Sequence, residues 1–117
     1  MTALIVDDEL DIGLMLSRIL EKEVVSAQHV DRITKALEIL AEKKVFDFYF
    51  LDLNLPDGTG FDLVPLIKKQ QPEAAIYFIS AYDGVFEKNK AAELEVNGFI
   101  KKPFTKSDIL SAINCLR

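Results

Sequence analysis

Cysteine and histidine are almost missing from this 117-residue chain: Cys115 and His29 stand alone, and there is no tryptophan. A lone cysteine excludes a disulfide framework and a thiolate zinc centre. A lone histidine excludes His-rich metal clusters and most general-base schemes built on imidazole. Five glycines and four prolines are too few for collagen-like or linker-like sequence. No apolar run approaches the about 20 residues needed to cross a bilayer, so no membrane span is expected. Met1-Thr2-Ala3 has no charged n-region and runs straight into core-like sequence, so a signal peptide is not expected either. Basic residues are in the minority. With 14 Lys and Arg against 19 Asp and Glu, the net charge is −5 and no Lys/Arg-rich run stands out. Direct binding to a nucleic-acid backbone is therefore not expected. The expectation is a soluble, cytoplasmic protein.

What is present is a globular composition, half hydrophobic and 28% charged. The length predicts one domain over residues 1–117. Ala3-Leu4-Ile5-Val6 reads as a strand buried on both faces and ended by Asp7-Asp8. Ile12, Met15, Leu16, Ile19 and Leu20 follow the spacing of an amphipathic helix. Val24 to Val30 is β-rich but more polar, which suits an edge strand carrying His29 at the surface. Ile33, Ala36, Leu37, Leu40 and Ala41 repeat the helical spacing. Phe48-Tyr49-Phe50-Leu51 is a strongly apolar strand ended by Asp52. Pro56-Asp57-Gly58-Thr59-Gly60 is loop chemistry, with Asp57 and Gly60 shaping the loop and the start of the next helix. Leu63, Leu66 and Ile67 predict that third helix, stopping before Pro72. Ala75 to Ile79 is a buried strand ended by Ser80, and Val85 to Leu94 a more polar helix. Gly98-Phe99-Ile100 is a short strand ended by Lys101-Lys102-Pro103. Ile109, Leu110, Ile113 and Leu116 close the chain as a helix, with Ser107 or Thr105 as its N-cap, and Cys115 reads as a small packed hydrophobe.

Five strand-then-helix units predict an α/β fold: a flavodoxin-like, doubly wound, five-stranded parallel sheet of order 2-1-3-4-5 with five helices. In such a sheet every carboxyl end lies on one rim. Asp7, Asp8, Asp52, Ser80 and Lys102 all end strands, so they are expected in one cleft. Two carboxylates roughly 4 Å apart repel by about 4 kcal/mol at an effective dielectric near 20. A divalent cation would remove that strain, and all-oxygen ligands suit Mg²⁺ or Mn²⁺. With no histidine or cysteine nucleophile there, a carboxylate nucleophile remains, a route to aspartyl phosphate. Taken alone, Asp8 also suits a cap of the first helix, with Asp11 near its positive end.

The acidic pair Asp7-Asp8, the segment Asp52-Leu53-Asn54-Leu55-Pro56-Asp57-Gly58-Thr59-Gly60, Ser80-Ala81 and Phe99-Ile100-Lys101-Lys102-Pro103-Phe104 together resemble the receiver domain of response regulators in two-component signalling. The resemblance covers essentially the whole chain. It implies that Asp52 accepts a phosphoryl group from a phosphohistidine on a sensor histidine kinase or histidine phosphotransfer protein. Asp7, Asp8, Asp52 and the Asn54 backbone carbonyl would hold Mg²⁺. Lys102 would contact the phosphoryl oxygens, Ser80 would hydrogen-bond the phosphate, and Phe99 would turn inward as the aromatic switch. Asn54 and Tyr82 would tune hydrolysis of the phosphoryl group, and the Lys102–Pro103 bond would be cis. A downstream protein target or output domain is implied, and pairing through the face of helix 4, strand 5 and helix 5 is common in the family. Two departures stand out. Glu95-Val96-Asn97-Gly98 replaces the Gly-Ala often found before the fifth strand, and Phe99 replaces the common tyrosine.

Three other functions compete. A haloacid-dehalogenase-like phosphohydrolase also uses an aspartyl nucleophile, but it wants a second acid where this chain has Asn54, and it usually carries cap insertions. A flavodoxin-like cofactor binder needs a Gly/Ser/Thr-rich anion loop where Asp7-Asp8-Glu9 would repel a phosphate. A phosphorylation-independent docking module would not need the intact acidic set. The expected protein is thus a signalling switch rather than an enzyme, with self-directed phosphoryl transfer and autodephosphorylation only. The chain ends at Arg117 just after the last helix, with no output domain in the sequence itself, so both a stand-alone receiver and a domain of a larger regulator or hybrid kinase are open.

Overall fold

The computed structural model describes residues 1–82 and 84–115; the expectation for Leu116 lies outside them. Among the described residues, five parallel strands alternate with five α-helices. The strands are β1 (Thr2–Val6), β2 (Ser26–Val30), β3 (Phe48–Asp52), β4 (Ala75–Ser80) and β5 (Gly98–Lys101). The helices are α1 (Leu10–Lys22), α2 (Ile33–Ala41), α3 (Val64–Gln70), α4 (Val85–Glu93) and α5 (Lys106–Asn114). The sheet runs β2-β1-β3-β4-β5, the expected order, with the more polar β2 at one edge. Pairings Val6↔Leu51 and Leu51↔Phe78 set the central register.

Side-chain alternation divides the core in two. Leu4, Val6, Tyr49, Leu51, Ile76 and Phe78 point to the face covered by α2, α3 and α4, where Ala36, Leu40, Val64, Ile67 and Ala91 meet them. Ile5, Phe48, Phe50, Tyr77 and Ile79 point to the other face, against Leu16 and Leu20 of α1 and Ile109 and Ile113 of α5. Because both faces are covered, β3 and β4 are buried along their whole length, and so their sequences are continuous apolar runs.

Several local expectations need correction. Met15, Leu37 and Leu66 are exposed, not inward. In α2 the buried set is Ile33, Ala36, Ile39 and Leu40. Of the two cap candidates for α5, Thr105 takes the role and accepts from Asp108 N at 3.2 Å. Cys115 is exposed rather than packed. The loop after β3 contains a two-residue antiparallel ladder, Asn54–Leu55 against Gly58–Thr59, followed by a 3₁₀ turn over Gly60–Leu63. Asp57 serves a different helix start from the one expected: its carboxylate accepts from Ile33 N at 2.8 Å and Thr34 N at 3.0 Å, closing the start of α2. Those bonds hold its carboxyl below the ordinary range against the opposing push of desolvation.

Candidate functional site

The chain leaves β1 at Val6 and places Asp7 beneath the rim, fully buried. Asp7 N donates to Val30 O at 3.1 Å, and Asp7 Oδ1 accepts from Glu9 N at 2.8 Å. β3 ends at Asp52, which is 4% exposed. Its Oδ1 accepts from Asn54 N at 3.3 Å. The chain folds back so closely here that a side chain at Gly60 would run into the Asp52 carbonyl. β4 ends at the buried Ser80, whose Oγ accepts from Tyr82 N at 3.0 Å. Lys102 follows β5, held by its N–H to Ser80 O at 2.8 Å, and the Lys102–Pro103 peptide is cis.

The Lys102 ammonium joins these parts. Nζ lies 2.8 Å from Asp7 Oδ2, 3.1 Å from Glu9 Oε1 and 3.2 Å from Asp52 Oδ2. Burial alone would push the Lys102 ammonium down, but the Asp7, Asp52 and Glu9 carboxylates outweigh it and hold it above its ordinary value. Desolvation first, and then the Asp7 charge, push the Asp52 carboxyl up to about 6, against the pull of Lys102 and Asn54 N. Asp8 and Glu9 complete a group in which carboxylate oxygens of Asp7, Asp8, Glu9 and Asp52 lie within 4.8 Å of one another. Four carboxylates thus face one ammonium. A small open cleft lined by Asp8, Glu9, Asp52, Asn54, Ser80 and Lys102 lies over them.

The donor set can be tested against a divalent cation. Every available side-chain ligand is a carboxylate oxygen, the hard donor that Mg²⁺ and Mn²⁺ take. Asp7 Oδ2 is buried and pairs with the Lys102 ammonium at 2.8 Å, an ammonium it shares with Glu9 and Asp52. One ammonium cannot offset four carboxylates, two of them buried, and a cation at this spot would neutralise the remaining negative charge. The residues fit.

All the expected rim residues therefore converge: Asp7, Asp8, Asp52, Ser80 and Lys102 around the cleft, with Asn54 and the exposed Tyr82 on its wall. Phe99 lies one layer below, half-buried, its ring edge-on to Phe78 at 6.3 Å. Asp8 does not cap α1, whose N-cap is Glu9 with no side-chain cap bond. Two participants were not expected. Glu9 bonds Lys102; its signal was the third acid in a row. His29 is half-buried rather than a surface residue, with Nε2 2.7 Å from the Asp7 carbonyl oxygen.

A doubly wound sheet of this order, with acids and one lysine packed at the ends of β1, β3 and β5, is the architecture of a receiver module in two-component signalling. The family model described as "Response regulator receiver domain" matches residues 3–114. The chain belongs to that family. Similar proteins include the response regulator protein PilR of Pseudomonas aeruginosa, 35% identical over 101 residues covering 86% of this chain and 22% of that protein. The sensory transduction protein LytT of Bacillus anthracis is 33% identical over 114 residues, 94% of this chain and 44% of that protein. The chain therefore spans less than half the length of both. Among solved structures, the non-phosphorylated HemR receiver domain from Leptospira biflexa has 33% identity and a TM-score of 0.86, over 97% of this chain and 91% of that one. Receiver domains are phosphorylation-dependent signalling switches, not turnover enzymes, and they work with histidine kinases and output domains. Among the described residues no helix is long and apolar enough to cross a membrane.

Proposed function

We propose that Asp52 is the phosphoryl acceptor of this receiver and that Asp7, Asp8, Asp52 and the Asn54 carbonyl hold a Mg²⁺ ion beside it. What carries the reading is one contact set: a buried Asp52 carboxylate 3.2 Å from a Lys102 ammonium that also pairs with the buried Asp7 at 2.8 Å. The donor is a phosphohistidine on a sensor histidine kinase or histidine phosphotransfer protein. Its P–N bond breaks with the electron pair returning to the imidazole, and a P–O bond forms to an Asp52 carboxylate oxygen. Lys102 contacts the phosphoryl oxygens and offsets their charge. When bound, the cation supplies the remaining positive charge. Ser80 turns its hydroxyl from Tyr82 N toward the new phosphate, and Phe99 moves inward beneath it. Having no hydroxyl, Phe99 favours the inward position through packing against Phe78. Autodephosphorylation is attack by water on the same acyl phosphate, with Asn54 and Tyr82 setting access from the cleft wall. The haloacid-dehalogenase reading is not favoured, because an amide at Asn54 cannot protonate a leaving group.

Intact mass spectrometry after incubation with Mg²⁺ and acetyl phosphate tests this directly. One phosphoryl addition is expected, lost in Asp52→Asn and abolished by a chelator. An adduct that forms without Mg²⁺, or that persists in Asp52→Asn, overturns the assignment.

A further inference from the structure

We infer that His29 is a positioning residue for the acidic loop Asp7–Glu9, and that Gly13 exists at its place in α1 to admit the His29 ring. The inference rests on the Mg²⁺ site proposed above and goes beyond it to a residue outside the cleft. β1 ends at Val6 and β2 at Val30, so the sheet ladder stops just as the chain enters the loop. Ile5 pairs with His29 and Val6 with Val30. One rung further, Asp7 N still donates to Val30 O at 3.1 Å. The Asp7 carbonyl is served by a side chain instead. A carbonyl oxygen can only accept, so His29 Nε2 carries the proton and donates across 2.7 Å.

That bond orients the Asp7–Asp8 peptide plane. Asp7 now has its N–H, its carbonyl and its Oδ1 engaged, by Val30 O, His29 Nε2 and Glu9 N respectively. Its remaining oxygen, Oδ2, pairs with Lys102 Nζ at 2.8 Å. Because the peptide plane is held, so is the direction in which Asp8 leaves the main chain. Asp8 itself is exposed and would otherwise swing freely. The imidazole thus orients two of the proposed ligands through the backbone that joins them, much as outer-shell partners orient direct ligands.

A second, independent observation comes from α1. Gly13 lies inside the helix and is buried, where glycine costs roughly 0.5–1 kcal/mol relative to alanine. The helix alone gives no reason for it. A methyl group at Gly13 would collide with the Cε1, Nδ1 and Nε2 atoms of His29. The unfavourable glycine and the lone histidine explain one another.

The experiment measures Mg²⁺ affinity by calorimetry, and the Asp7 carbonyl and Asp8 and Glu9 amide NMR shifts without metal, in wild type, His29→Leu, His29→Gln and Gly13→Ala. Glutamine can place an N–H close to where Nε2 stands. His29→Leu is expected to weaken Mg²⁺ binding about tenfold and to move the loop shifts, while His29→Gln stays within about twofold of wild type. Gly13→Ala, which displaces the ring but improves helix propensity, is expected to weaken Mg²⁺ binding in the native background and to have no further effect in His29→Leu. Unchanged Mg²⁺ affinity in a folded His29→Leu overturns the inference. So does a loss in His29→Leu that glutamine fails to rescue while Gly13→Ala binds Mg²⁺ as wild type. A wild-type chain that binds no Mg²⁺ overturns the site itself, a result distinct from either.

Discussion

The two rims of the sheet are built from the same strands and solve the problem of buried polar groups in opposite ways. At the amino-terminal rim the groups are mostly neutral and matched. Tyr49 OH donates to Gln71 Oε1 at 2.8 Å, and Gln71 Nε2 donates to Phe46 O at 2.6 Å. Ile76 N donates to Asn97 Oδ1 at 2.9 Å, and Asn97 N donates back to Ile76 O at 2.8 Å. At the carboxyl-terminal rim Asp7, Glu9 and Asp52 crowd one lysine, so the carboxylates outnumber the ammonium they share. Matched neutral bonds each add a modest net stability, whereas unmatched buried charge costs stability. The fold tolerates that cost at the rim where the proposed chemistry needs negative oxygens, and avoids it at the other.

Removing the Lys102 ammonium from the charged rim is expected to have the largest effect. Lys102→Met should slow phosphoryl acceptance from acetyl phosphate about a hundredfold, as loss of one preorganised charged donor does, measured by intact mass against time. A rate within a few fold of wild type would show that Lys102 is a bystander.

Cutting a matched bond on the neutral rim comes next. Gln71→Ala leaves the Phe46 carbonyl and the Tyr49 hydroxyl without their partner, and should cost about 2 kcal/mol of unfolding free energy. In urea titrations that loss should be the same at pH 5 and pH 8, because nothing ionisable is removed.

The charged rim should respond with the opposite sign and with a pH slope. The Asp52 carboxyl is displaced from 3.8 to about 6 in the fold. Between those values the folded chain keeps a proton that the unfolded chain has released. The Asp52 contribution to stability therefore falls as pH rises through about 6 and stays unfavourable above it. Asp52→Asn should stabilise the metal-free protein by about 1 kcal/mol at pH 8, after allowing for water at the open cleft. At pH 4 the gain should be near zero. A gain that does not change with pH would remove the electrostatic argument.

A change away from both rims calibrates the comparison. Val24, after α1, is exposed with a φ of 61°, a left-handed conformation that a β-branched residue resists. Val24→Gly should raise thermal stability by up to about 1 kcal/mol, with phosphoryl acceptance and its metal dependence unaltered.

How far the sequence could be read varied with the range of the interaction. The cap of α5 was legible to within two candidates, Ser107 and Thr105, because a cap and its amide lie within one turn, and the structure selects Thr105. Asp57 was not, because the amides it closes belong to Ile33 and Thr34, on a helix two elements earlier. Met15, Leu37 and Leu66 fit a helical apolar spacing yet lie on the shoulders of their stripes, where no neighbouring element covers them. At the candidate site the strand ends marked Asp7, Asp8, Asp52, Ser80 and Lys102. Glu9 and His29 escaped notice because their partners, Lys102 and the Asp7 carbonyl, become neighbours only through folding. Glu95 adds a smaller case: it adopts a φ of 56° just before β5, a left-handed conformation taken up without a glycine.

The order of letters by itself determined the alternation of strand and helix, the sheet order, and which residues end the strands. Those features follow from side-chain periodicity and chain connectivity, which act over a few residues or one crossover. Tertiary structure alone decided which oxygen of Asp7 meets Lys102, how far the Asp52 carboxyl is displaced, and that an imidazole from the edge strand grips the acidic loop. Desolvation and Coulomb energy depend on distance through space and on the water excluded between groups, and neither is written in sequence separation.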